Sequence, residues 1–128
     1  MQCKTILVID DDPEILESVS LLLEFEGYSV IQAENGQIAL NILSKLQPDQ
    51  LPGCILLDLM MPVMSGFNFL KTLDQDHQEN LAKIPVIAVT ALGTSKETRS
   101  LPLIVKTIEK PYEAQELIES IIQYCGVP

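Results

Sequence analysis

The chain has 128 residues, 47% of them apolar, and carries 18 aspartates and glutamates against 8 lysines and arginines, for a net charge of −10. That length fits one domain, residues 1–128, able to bury well over half of the surface its unfolded form exposes. A negative field repels a phosphate backbone, which argues against direct nucleic-acid binding, and no apolar run approaches the ~18 residues needed to cross a bilayer. Met1-Gln2-Cys3-Lys4 leads straight into an apolar segment and leaves no room for a signal peptide's apolar region, so a cytosolic location is expected. Cys3, Cys54 and Cys125 are odd in number, far apart and without a C-x-x-C pair, and are expected to be reduced thiols and not a zinc or redox centre.

Thr5-Ile6-Leu7-Val8-Ile9 is a β-branched apolar run that stops at Asp10-Asp11-Asp12-Pro13, a first strand. Asp12 is a good N-cap, Pro13 suits the first helical turn and Glu14 suits the positive end of the helix dipole, so a helix is expected over 13–26 with Gly27 beyond its end. Residues 28–33 mix apolar and polar positions, as a strand nearer a sheet edge does. Asn35-Gly36 marks a turn, and Ile38, Ala39, Ile42, Leu43 and Leu46 form the next helical face, ended by Gln47-Pro48. Cys54-Ile55-Leu56-Leu57-Asp58 is a run apolar on both faces, the habit of a parallel strand, and it ends in a carboxylate. Such an acid is expensive to bury unless it is paired, metal-bound or at work.

After Pro62 and Ser65-Gly66, the residues Phe67, Leu70 and Leu73 mark a third helix that fades into a polar loop over 74–83. Residues 85–90 form another buried strand, closed by Thr90-Ala91. A short helix over 94–100 is all that Pro102 allows before a fifth strand over 103–108, which ends at Glu109-Lys110-Pro111. Leu117, Ile118, Ile121 and Ile122 give a last amphipathic helix over 113–124. Strands alternating with helices call for a doubly wound α/β domain with a five-stranded parallel sheet and right-handed crossovers. Ligands in such sheets sit beyond the carboxyl ends of the strands. Those ends carry Asp10 and Asp11, Asp58, Thr90 and Lys110, which converge on one rim.

Carboxylates gathered this closely repel one another, and a hard divalent cation removes the conflict; Mg²⁺ prefers oxygen ligands and keeps room for a substrate phosphate. A carboxylate nucleophile with a metal, a lysine and a hydroxyl around the phosphoryl oxygens is a set suited to phosphoryl transfer. The combination of Asp10-Asp11, Asp58-Leu59-Met60-Met61-Pro62-Val63-Met64-Ser65-Gly66, Thr90-Ala91 and Lys110-Pro111 resembles the receiver domain of two-component response regulators over nearly the whole chain. The resemblance implies a flavodoxin-like (βα)5 fold with strand order 2-1-3-4-5 and no enzymatic turnover beyond self-phosphorylation and dephosphorylation. It makes Asp58 the phosphoacceptor, served by a histidine kinase or a histidine phosphotransfer protein. It assigns Asp11, Asp58 and the Met60 carbonyl to Mg²⁺, with Asp10 reaching the ion through water, and Lys110 and Thr90 to the acyl phosphate. It makes Lys110-Pro111 a candidate cis bond, and the signal then passes to a downstream protein or an output domain.

Two departures stand out. Thr107 occupies a position that is usually aromatic in that family, and Ser100-Leu101-Pro102-Leu103 replaces the usual glycine-alanine turn, both pointing to a remodelled output face. Apolar Met60 and Leu92 flank the site, and neither can orient a water, so slow loss of the phosphoryl group is expected. Three rivals remain. Asp10-x-Asp12 resembles the nucleophile motif of haloacid-dehalogenase-type phosphatases. A flavodoxin-like flavin binder shares the fold, although three carboxylates suit a phosphate poorly. The third is a receiver used purely as an interaction module.

Overall fold

The computed structural model of the protein describes residues 4–59, 66–74, 83–90 and 104–128. Five strands, β1 (Thr5–Ile9), β2 (Ser29–Ala33), β3 (Cys54–Asp58), β4 (Val86–Thr90) and β5 (Ile104–Glu109), alternate with four helices among the described residues. The helices are α1 (Pro13–Phe25), α2 (Gly36–Lys45), α3 (Gly66–Asp74) and, at the C-terminal end, α4 (Ala114–Tyr124), with a 3-10 turn at Pro48–Gln50. All strand pairs are parallel and the order is β2-β1-β3-β4-β5, as expected. The helix anticipated over 94–100 and most of the polar loop before β4 lie outside the described residues.

The strand sequences explain the two layers. Side chains along a strand alternate between faces, and Ile6, Val8, Leu56, Ile87 and Val89 pack against Leu16, Val19 and Leu23 of α1 and Leu117, Ile118 and Ile121 of α4. The intervening residues Leu7, Ile9, Ile55, Leu57, Val86 and Ala88 pack against Ala39 and Leu43 of α2 and Phe69 and Leu70 of α3. The central strands β3 and β4 are buried at every position, whereas β2 and β5, at the sheet edges, keep exposed residues.

Helix α1 begins as its sequence requires: the Asp12 carboxylate accepts from the backbone N–H of Glu14 at 2.9 Å and of Ile15 at 3.5 Å. Gly27 follows its end at φ 106°, a conformation that L side chains rarely adopt. The Asn35 carboxamide caps α2 through the N–H of Ile38 at 2.9 Å, so the Asn35-Gly36 turn is also the start of a helix. Along β5 the register slips. Val86 faces Ile104 while Ile87 faces Lys106, which leaves Val105 as an extra, exposed residue. This bulge lies at the beginning of the strand, next to the unusual 100–103 sequence.

The cysteines correct one expectation. Cys125 is disulfide-bonded, because separation along the chain says nothing about separation in space. Cys54 is free and fully buried, and burial pushes its thiol up to about 12. A raised pKa means that the fold favours the neutral thiol. That contribution is whole below the unfolded value of about 8.5 and is lost as pH rises from there through about 12. At pH 8, iodoacetamide is expected to modify Cys54 at least roughly a hundredfold more slowly in the native protein than in urea. Equal rates by intact mass would show that Cys54 is not sealed in the core.

Candidate functional site

The rim residues are held by ladders that run one step past the strand ends. The N–H of Asp10 donates to the Ala33 carbonyl at 3.2 Å, that of Leu59 to Val89 at 3.2 Å, and that of Lys110 to Thr90 at 2.9 Å. Backbone hydrogen bonds therefore fix the start of each loop, and the side chains at the rim inherit the rigidity of the sheet. Alternation sets their direction: Asp10 continues the Ile6, Val8 series and Asp58 the Cys54, Leu56 series, all on the α1/α4 side.

This brings three acids together. One carboxylate oxygen from each of Asp10, Asp11 and Asp58 lies within 4.8 Å of the others. Asp10 and Asp58 are 6% and 7% exposed, and Asp11 faces solvent. The Lys110 ammonium stands 3.8 Å from Asp58 Oδ2 and 4.0 Å from Asp10 Oδ2, two ion pairs that lie beyond hydrogen-bond range. The N–H of Asp12 donates to Asp10 Oδ1 at 2.9 Å.

The Asp10 carboxyl is raised above its ordinary value, chiefly by burial; the hydrogen bond from Asp12 opposes that, Asp58 adds repulsion, Lys110 pulls it down and Asp11 pushes it up again. The net upward shift means that the attraction of one lysine does not offset burial and two acidic neighbours. Charge is unbalanced at this rim, and the donor set consists of carboxylate oxygens. Such a set fits a hard, oxygen-seeking divalent cation of the Mg²⁺ kind.

Thr90, at the end of β4, is buried, and its backbone holds Lys110 in place. The Lys110-Pro111 peptide is cis, as anticipated. Asp12 acts elsewhere. Its carboxylate caps α1 by accepting from the N–H groups of Glu14 and Ile15. Met60 and Leu92 lie outside the described residues. Thr107 is half-buried and pairs with Ala88 across the sheet, in the position where an aromatic side chain was the expectation for the family.

Sequence reasoning gave Tyr112 no role at the site, yet it lines a void of about 20 Å³ together with Asp10 and Asp58. Burial raises its phenol above the ordinary value, and the charges of Asp10 and Asp58 add to that. The available signal was its place, two residues beyond the strand-end lysine.

Residues 6–122 match the family model described as "Response regulator receiver domain". The transcriptional regulatory protein CpxR of Escherichia coli is 39% identical over 119 residues, which cover 91% of this chain and 47% of that protein. The DNA-binding dual master transcriptional regulator RpaA of Synechocystis is 47% identical over 88 residues, covering 69% of this chain and 34% of RpaA. The chain therefore spans from a third to about half of the length of these relatives. Among solved structures, the chemotaxis protein CheY4 of Vibrio cholerae superposes with a TM-score of 0.82 at 27% identity, covering 95% of this chain and 98% of that one.

Proposed function

Because the chain belongs to the response regulator receiver domain family, we propose that Asp58 is its phosphoacceptor and that a histidine kinase or a histidine phosphotransfer protein is the donor. The observation that carries this reading is the seat of Asp58: a nearly buried carboxylate at the end of the central strand β3, 3.8 Å from Lys110 and clustered with Asp10 and Asp11.

In the transfer, a carboxylate oxygen of Asp58 attacks the phosphorus of a phosphohistidine. The P–N bond breaks, its electron pair stays on the imidazole, and an acyl phosphate forms. Lys110 lies where negative charge collects on the phosphoryl oxygens, and Thr90 offers a hydroxyl at the neighbouring strand end. Asp10, Asp11 and Asp58, with the carbonyl of Met60, would hold Mg²⁺. That ion, when bound, supplies charge neutralisation for the carboxylates and the incoming phosphoryl group. The N–H of Asp12 holds the Asp10 carboxylate in place at the rim.

The acyl phosphate then shifts a two-state equilibrium of the domain and changes its protein contacts. No nucleic acid and no membrane is assigned to this domain: the net charge is −10, and no helix among the described residues is long and apolar enough to cross a bilayer. DNA binding of the kind named for RpaA would belong to a further domain.

Intact-mass measurement after incubation with acetyl phosphate is the test. A gain of one phosphoryl group with Mg²⁺, and none with a chelator, is the expected result; an unmodified protein in both would overturn the reading. The β5 bulge and Thr107 favour one second reading, a receiver that acts through contacts alone. It predicts no labelling and no change in amide chemical shifts along β4 and β5 on adding beryllofluoride and Mg²⁺.

A further inference from the structure

The backbone that carries Lys110 leaves the sheet as soon as β5 ends. Residues 110–113 belong to no helix or strand; Pro111 and Glu113 are exposed, and Glu113 stands at the start of α4 without a side-chain capping bond. The Lys110 N–H donates to the Thr90 carbonyl at 2.9 Å and ties the first residue of this segment to β4. The charges hold its side chain less firmly, because both ion pairs lie beyond hydrogen-bond range, at 3.8 and 4.0 Å, and the side chain is 28% exposed. Tyr112 supplies a second hold on the backbone. It is half-buried, packs against the α1/α4 core, and lines an inner void with Asp10, Asp58, Ile15 and Val19 and an outer groove with Lys110. The Cα atoms of Lys110 and Tyr112 can stand no more than about 7 Å apart, and the ring of Pro111 fixes φ between them. A shift of Tyr112 is therefore passed on to Lys110.

We propose that Tyr112 is a positioning residue: its ring, packed against the α1/α4 core, anchors the 110–113 segment and so holds the Lys110 ammonium beside Asp10 and Asp58. The proposal rests on Lys110 serving phosphoryl transfer to Asp58, but its effect on the acids needs no transfer to be seen. Without the ring the segment loosens and the ammonium spends less time near the two carboxylates. It then competes less with a divalent cation for their charge, so the cation binds more tightly. Phosphoryl transfer moves the opposite way, because it needs the ammonium placed where charge gathers on the phosphoryl oxygens, and a misplacement of about 1 Å is costly. A ring that merely filled space in the core would not separate these two properties.

The experiment uses the whole chain and reads Mg²⁺ affinity by calorimetry, labelling by acetyl phosphate at saturating Mg²⁺ by intact mass, and native-state hydrogen exchange of the Lys110 amide. Tyr112→Ala is expected to bind Mg²⁺ about threefold more tightly and to label about thirtyfold more slowly, with Tyr112→Phe, which keeps the ring, within about twofold of the wild type in both. The Lys110 amide is expected to exchange at least about tenfold faster in Tyr112→Ala, while the amides of Asp10 and Leu59, at neighbouring strand ends, keep their protection. Added to Lys110→Ala, the same substitution is expected to change either quantity by less than about twofold, because the residue it acts through is gone. Tyr112→Leu keeps an apolar side chain in the core and is expected to show the same pattern at about twofold or more, so it carries the test if Tyr112→Ala does not fold. Unchanged or weaker Mg²⁺ binding in the folded variants overturns the anchor. So does a change of equal size in the absence of Lys110, which would assign the effect to the void beneath the acids, and so does equal loss of protection at Asp10 and Leu59, which would make it a general loosening. A wild type that takes no phosphoryl group overturns the phosphoacceptor reading instead, and Mg²⁺ affinity and exchange then still decide whether the ring holds Lys110.

Discussion

Asp58→Asn is expected to abolish phosphoryl transfer to the protein, with no gain of mass in the time that saturates the wild type. The amide keeps the size and most of the contacts of the carboxylate but lacks the anionic oxygen that attacks phosphorus. Its effect on the fold runs the other way. Asp58 is 7% exposed in a cluster with two other acids, so the neutral amide removes a desolvated charge and its repulsion toward Asp10. Without Mg²⁺ the variant's melting temperature is expected to equal or exceed that of the wild type. The two readings together separate loss of the nucleophile from loss of the fold. Labelling of Asp58→Asn at the wild-type rate would move the acceptor elsewhere.

Lys110→Ala is expected to split two properties that a general defect would move together. Its ammonium lies 3.8 and 4.0 Å from one oxygen each of Asp58 and Asp10, and so competes for the same negative charge that a divalent cation would use. Removing it is expected to tighten Mg²⁺ binding by about fivefold, the size of a screened unit-charge interaction at this range. The same deletion removes the cation that meets the charge on the transferred phosphoryl oxygens, which is expected to slow labelling by acetyl phosphate by about a hundredfold at saturating Mg²⁺. Calorimetry gives the first quantity and time-resolved intact mass the second. Both falling together would make Lys110 a prop for the fold, and neither changing would make it a bystander.

How much of this was legible in the chain depends on which interactions decide each feature. The strands were readable because β1, β3 and β4 bury both faces, and only uninterrupted apolar runs permit that. Asp10, Asp58 and Thr90 were readable because each closes or follows such a run, and Lys110 because it directly follows the last strand, so placing the strand placed the residue. Asp12 was readable as a cap from Pro13 and Glu14, and its capping bonds are what keep it out of the acidic cluster.

Other features were hidden by distance in sequence. Tyr112 lines one void with Ile15 of α1 and with Asp10 and Asp58, and no local pattern reports such a convergence. The second partner of Lys110, Asp10, is a hundred residues away in the chain. Pairing of Cys125 required closeness in space, and the β5 bulge required a register, neither of which composition encodes.

The alternation that sorts side chains between the two helical layers imposes a rule of parity on the site. Asp10 and Asp58 face α1 and α4 because they stand an even number of positions along the chain from Ile6 and Val8 and from Cys54 and Leu56, whose side chains the same layer buries. One residue inserted into β1 or β3 would turn its acid toward the α2/α3 layer and, in the same stroke, exchange the apolar side chains of the two cores. Two residues would restore the direction and only lengthen the strand. The chemistry at the rim is thereby locked to the packing beneath it: these strands cannot drift gradually in length, and any change that keeps the core also keeps the aim of the acids.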